Sequence, residues 1–202
     1  DFSSLTDLRC ADNQITSLDL SQNTALTSLG CYNNQLTILN VSNATSLHEL
    51  NASNNQLTNL DLSSCDNLSE IYCNDNNINS LLIPQNPQNR TDNWPFIKNL
   101  NFDNNNLSSL DFSNYDSLTI GYLKLASNNF LNLDLSNIRI TDELRCDSNQ
   151  LETLDLRNGY NTIIQSINLF GNPNLTCISV DDTAYSNANW TGTSFQFEPQ
   201  VY

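Results

Sequence analysis

The sequence predicts a parallel β-solenoid, predominantly β and with little helix, and three observations carry that prediction. The first is composition: 36 of the 202 residues are Asn and 31 are Leu, a bias far from average usage and a mark of repetition. The second is a period. The segments LRCADNQITSLDL from Leu8, LGCYNNQLTILNV from Leu29, LNASNNQLTNLDL from Leu50 and IYCNDNNINSLLI from Ile71 recur every 21 residues. The register continues from Leu100, Leu123, Leu144 and, in degenerate form, Ile167. The third is spacing within the repeat: apolar residues stand two apart, the strand period, and are then interrupted by Asn-rich polar turns.

Each repeat should supply a short strand, such as residues 8–10, and a second extended segment, such as residues 18–20. Copies stack in parallel about 4.8 Å apart. Leu8, Cys10, Ile15, Leu18, Leu20 and their equivalents then face inward, and because one repeat cannot bury them alone, stability comes from the stack. The eight starts are separated by 21, 21, 21, 29, 23, 21 and 23 residues, so three links carry insertions of eight, two and two. Residues 1–180 form the repeats, with the longest insertion within 84–96. Residues 181–202 form a C-terminal cap, in which Tyr185, Trp190, Phe195 and Phe197, with alternation over SFQFE, predict a strand and an aromatic lid. The N-terminal end has only Phe2 ahead of Leu5. Repeat one should therefore show Leu5, Leu8, Cys10 and Ile15 to solvent unless a neighbouring domain covers them.

With 7 Lys+Arg against 22 Asp+Glu, the formal charge of -15 leaves little to neutralise phosphates and argues against nucleic acid and anionic membranes as partners. No run of about 18 apolar residues is present to insert in a membrane. The absence of Met leads us to expect the mature part of an exported protein.

The pattern LxxLxCxxNxL followed by LDLSxNxxL, seen over residues 26–36 and 57–68, resembles the leucine-rich repeats of secreted and cell-surface Bacteroidetes proteins and is distantly similar to the internalin repeats. The resemblance covers about residues 5–180. It implies a leucine-rich repeat solenoid, right-handed and curved, with the parallel sheet on its concave face. It also implies extracellular recognition rather than catalysis.

Three columns have structural explanations. Asn13, Asn34, Asn55, Asn76, Asn105, Asn128, Asn149 and Asn172 share one site, where an amide can satisfy backbone groups at the turn and bond to an adjacent repeat. Cys10, Cys31, Cys73 and Cys146 occupy an inward site held elsewhere by Ala52, Phe102, Leu125 and Leu169, which marks them as reduced apolar filler rather than cystines or thiolate ligands. Cys65 falls in a turn and Cys177 before the last extended segment. Asp19, Asp61, Asp111, Asp134 and Asp155 point outward from the LDL motif, either as a solvated acidic face or as a loose Ca²⁺ binder.

Catalytic chemistry is thinly supplied. His48 is the single histidine, and a triad through Glu49 or Glu70 would sit on an open sheet that excludes no water. Glu49 and Glu70 on neighbouring strands could pair as glycosidase carboxylates only by abundance. No P-loop, GxGxxG or HExxH pattern indicates a cofactor, and no metal site is expected.

The variable outward positions are the informative ones. Tyr72, Asn101, Asp103, Tyr122, Lys124, Glu143 and Arg145 gather on repeats four to seven, where rings beside amides and charges suit a neutral or cationic ligand. The insertion PQNPQNRTDNWPF adds Arg90 and Trp94, and shorter insertions add Tyr115 and Tyr160, so that Trp94 and Tyr115 should line one edge. The alternative for Trp94 is that it folds back as a plug. The function expected is a non-catalytic extracellular module binding a protein or polysaccharide through the concave face and that edge. A structural spacer in a larger exported protein is the alternative.

Overall fold

The 21-residue period closes one turn of coil per repeat. The computed structural model describes residues 4–84, 96–115, 118–191 and 195–196. The first apolar segment of each repeat becomes a strand of one face: β1 (Asp7–Arg9), β3 (Ser28–Gly30), β5 (Glu49–Asn51), β7 (Glu70–Tyr72), β9 (Phe96–Asn101), β10 (Leu118–Lys124), β12 (Ile138–Arg145), β14 (Ser166–Asn168) and β16 (Phe195–Gln196). In that order they form a nine-stranded sheet, and every pairing is parallel.

The LDL segments give β2 (Ser17–Asp19), β4 (Ile38–Asn40), β6 (Asn59–Asp61), β8 (Ser80–Leu82), β11 (Asn132–Asp134), β13 (Thr153–Asp155) and β15 (Cys177–Ser179). These make a broken second face of three small sheets, β2-β4, β6-β8 and β11-β13-β15. Between the faces lies a continuous apolar core in which Leu26, Leu47, Leu50, Ile71, Leu100, Leu123 and Leu144 have no exposure at all. Leu5, Leu8, Cys10, Ile15 and Leu18 of the first repeat are only partly buried. They lack a preceding turn among the described residues.

The Asn column is a hydrogen-bonded ladder. Asn55 Nδ2 donates to the carbonyls of Ala52 (3.1 Å) and Ser53 (3.2 Å) in its own turn and of Cys31 (3.1 Å) in the turn before, while its Oδ1 accepts from Leu36 N–H at 2.9 Å. Asn76, Asn105, Asn128 and Asn149 repeat the arrangement. The bond reaches back to the preceding repeat, so each turn is pinned by its successor. The residue before each ladder Asn takes a left-handed conformation, with φ of 53–57° at Asp12, Asn33, Asn54, Asp75, Asn104, Ser127 and Ser148 and 75° at Gly171. Asn and Asp tolerate that region best among residues with a Cβ. Their side chains add an outer ladder: Asn33 to Asp12 at 2.7 Å, Asn54 to Asn33 at 3.0 Å and Asn104 to Asp75 at 2.7 Å.

The LDL aspartates are turn formers. Oδ1 of Asp19, Asp61, Asp111, Asp134 and Asp155 accepts the N–H two residues on, at 2.8–3.0 Å. Among the described residues no three His, Cys, Asp or Glu side chains come together to hold a metal ion.

The cap differs from expectation. Where a strand and an aromatic lid were expected, the cap begins with a helix, α1 (Thr183–Asn189), whose N-cap Asp182 accepts from Tyr185 N–H at 2.9 Å. Seven residues are too few to display a helical period, and the Asp cap was the available signal. Trp190 then closes the core at 6% exposure, and β16 adds in parallel to β14 with Ile167 opposite Phe195. Phe197 lies outside the described residues.

Candidate functional site

Strand pairing turns the outward positions into two rows across the sheet. One runs Asp7, Ser28, Glu49, Glu70, Asn99, Tyr122, Glu143, Ser166, and the other Arg9, Gly30, Asn51, Tyr72, Asn101, Lys124, Arg145, Asn168. Charge is arranged unevenly over these rows. Of the six described cations, Arg9, Lys98, Lys124, Arg139 and Arg145 lie on strands of this sheet, in a chain of net charge -15.

Most of these cations are matched to carboxylates. Lys98 Nζ meets Glu70 Oε1 at 2.8 Å, and Lys124 Nζ meets Glu143 Oε2 at 3.5 Å. Arg145 bridges Asp103 at 3.2 Å and Asp147 at 2.8 Å. All are partly solvated, so solvent screens them and they add little to stability. Their contribution is a fixed pattern of alternating sign. Tyr72 donates its hydroxyl to Glu70 Oε2 at 2.9 Å. Burial, with that carboxylate second, pushes the phenol up to about 12. Glu70 is held below the usual carboxylate range, chiefly by its hydrogen bond from Lys98. Asp103 runs the other way: burial raises it, against the backbone bond from Ala126 N–H (2.7 Å) and Arg145, which lower it.

The sheet broadens where this pattern is densest. Most of its strands contribute three residues, whereas β9, β10 and β12 contribute six, seven and eight. In a register shift after Ile120, two residues of β12, Thr141 and Asp142, bulge opposite a single residue of β10, Gly121. Its backbone approaches the neighbouring strand so closely that a Cβ there would stand 2.7 Å from the Lys98 carbonyl oxygen. Bulges re-aim the side chains beside them, here Glu143 on β12, whose register partner Tyr122 is 36% exposed with the Lys124 ammonium 5.5 Å from its ring centre.

The sequence-derived candidates thus divide. Tyr72, Asn101, Asp103, Tyr122, Lys124, Glu143 and Arg145 share one stretch of the sheet, although Asp103 is buried and committed to Ala126 and Arg145. Tyr115 is corrected. It is 5% exposed, tilted against Phe112 with ring centres 6.0 Å apart, and its hydroxyl donates to the Pro84 carbonyl. The reason is its column: Ala44, Cys65, Tyr115 and Ile138 occupy one inward turn site whose N–H bonds to the carbonyl three residues back. Counting inserted residues hid that equivalence, and it also buries Cys65. Tyr160 is half-buried under Arg139, whose guanidinium carbon lies 4.0 Å from the ring centre. Trp94 and Arg90 lie outside the described residues. Lys98 escaped the sequence analysis because it stands two residues ahead of its strand Leu, beyond the three outward positions considered per repeat.

All six cysteines are free. Burial raises Cys31 to about 12 and Cys65 to about 11, and pushes Cys73 and Cys146 further up. His48 Nδ1 sits 2.7 Å from the Ser46 carbonyl.

No family model matches the chain, and no curated protein matches it either. Among solved structures, the functional domain of InlJ from Listeria monocytogenes, described as including a cysteine ladder, is similar at 25% identity over 86% of this chain, with a TM-score of 0.33. The chain spans 50% of the length of that structure.

Proposed function

We propose that this solenoid is a non-catalytic recognition module, secreted or on the cell surface, that binds a protein ligand through β7, β9, β10 and β12. The observation that carries the proposal is the gathering of nearly all described cations of an acidic chain into a pattern of alternating sign on one sheet. Such a pattern steers and registers a partner whose own charges alternate, and it suppresses wrong partners more than it adds affinity. Solenoid repeats characteristically offer extended surfaces of this kind. A polysaccharide strip is less favoured, because Tyr115 is in the core and Tyr72 and Tyr122 are the described tyrosines left on this stretch.

Catalysis finds no support in the geometry. Glu70, half of the one adjacent carboxylate pair in the first row, already has both oxygens engaged, one by Lys98 and the other by the Tyr72 hydroxyl, which leaves it poorly placed to attack a sugar or activate water. The test is a protein and glycan array probed with the chain and with its Tyr122→Ala and Lys124→Ala variants. Binding to a protein that Tyr122→Ala weakens by about 1–2 kcal/mol, with unchanged unfolding midpoints, supports the module. Variants that bind as the parent does, or an absence of any ligand, make the chain a spacer.

A further inference from the structure

The first row contains four carboxylates in register, and three of them have a cation from this chain. Asp7 holds Arg9 through Nε at 3.2 Å and Nη2 at 3.0 Å, Glu70 holds Lys98 at 2.8 Å, and Glu143 holds Lys124 at 3.5 Å. The fourth is Glu49, which has no ion-pair partner among the described residues and receives only a long 3.4 Å bond from Ser28 Oγ.

Beside Glu49 the second row has a gap. Gly30 stands in register between Arg9 and Asn51, and it is the single position in that row without a side chain. A strand glycine exposes backbone to close approach by a ligand or another chain. The wall of the gap is Tyr32, whose Cε1 lies 3.9 Å from where a Gly30 Cβ would be, so the space is open rather than filled by a neighbour. Arg9, Ala11, Ser28, Tyr32, Glu49 and Asn51 surround a cavity of about 320 Å³. Asp7, Arg9 and Glu49 sum to one negative charge, and Arg9 is already engaged in two bonds to Asp7, which leaves little of it for an anion.

We propose that this notch receives a basic side chain of a protein partner, with the alkyl stem lying over Gly30 and the cationic head at Glu49 against the Tyr32 ring. Glycine supplies the room, the carboxylate the charge, and the ring a cation–π face. The notch lies on β1, β3 and β5, apart from the charged pattern on β7 to β12, and would anchor the same partner at a second point. The inference rests on the protein-recognition proposal for its partner but not for its test.

The test uses the whole ¹⁵N-labelled chain and N-acetyl-lysine methylamide at millimolar concentration. Saturable shifts are expected at the Gly30, Tyr32 and Asn51 amides, and N-acetyl-norleucine methylamide, of similar stem but uncharged, should not reproduce them. Glu49→Gln should weaken binding about two- to fivefold, the worth of a partly exposed ion pair. Gly30→Leu should abolish it by filling the notch while leaving the unfolding midpoint unchanged, since the neighbouring repeats carry Arg9 and Asn51 at that site. Arg9→Gln should tighten it, because a repelling cation is removed. The proposal is overturned by an absence of saturable shifts, by equal shifts from the norleucine probe, by indifference to both Glu49→Gln and Gly30→Leu, or by methyl glucoside shifting the same amides more strongly. None of these outcomes depends on whether the array identifies a ligand through Tyr122 and Lys124.

Discussion

Replacing Asn128 with Leu tests how the coil is held together. The side chain is almost fully buried and uses both ends: Nδ2 donates to the carbonyls of Phe102 (2.9 Å), Leu125 (3.2 Å) and Ala126 (3.2 Å), and Oδ1 accepts from Leu107 N–H at 2.9 Å. Leucine keeps the branched heavy-atom skeleton in a bulkier side chain, so no cavity opens and crowding can only add to the cost. What remains is a buried Leu107 N–H with its acceptor removed, at about 1–3 kcal/mol, and a lost bond to the Phe102 carbonyl, at about 1 kcal/mol. The sum is about 2–4 kcal/mol. Asn13 is the internal control, because it is exposed and donates only within its own turn, to Cys10 (3.2 Å) and Ala11 (2.9 Å). Asn13→Leu should therefore cost less than about 1 kcal/mol. Equilibrium urea denaturation followed by circular dichroism and by fluorescence of the buried Trp190 measures both variants. The two probes also check that the stack unfolds as one unit. If the two substitutions destabilise within about 0.5 kcal/mol of each other, the bond to the preceding turn is not what stabilises the coil.

Three further outcomes are expected. Alkylation of the native chain should label exposed Cys177 first and reach Cys31, Cys65, Cys73 and Cys146 only on unfolding, because burial withholds their thiolates; fast native labelling of Cys73 or Cys146 would contradict the packing. Asp19, Asp111 and Asp155 are held below the ordinary carboxylate range, the first two chiefly by the turn N–H and Asp155 chiefly by Arg157. Their contribution is full above about pH 4 and lost as pH falls through the lowered native values. Asp103, raised by burial, has the opposite sign, so an acid titration of stability should flatten in the triple Asn variant and not in Asp103→Asn. Ser127→Asn should raise the melting temperature: the site has φ of 53°, suits Asn better than Ser, and places a new amide beside Asn104 to extend the outer ladder. A lowered melting temperature would refute that account of the turn.

The sequence by itself determined the coil. A 21-residue period with apolar residues two apart admits a parallel stack and little else, because every buried position recurs in a fixed register and every turn has the same polar job. The Asn column, the inward thiols and the outward rows were therefore legible as columns before any contact was known. Features outside the period were decided by tertiary structure. Tyr115 looked like a surface ring until its turn was superposed on those of Ala44 and Cys65, and α1 was too short to announce itself. Which carboxylates keep a cation was also decided there. Glu49 and Glu70 are equivalent by repeat, yet only Glu70 has Lys98 across the strand, because the column that holds Thr27, His48 and Ser69 in the preceding turns holds a lysine in the next. Repetition fixes where side chains point, since that depends on local geometry shared by every turn. Partnership depends on the one neighbour that differs, and only the assembled sheet supplies that neighbour.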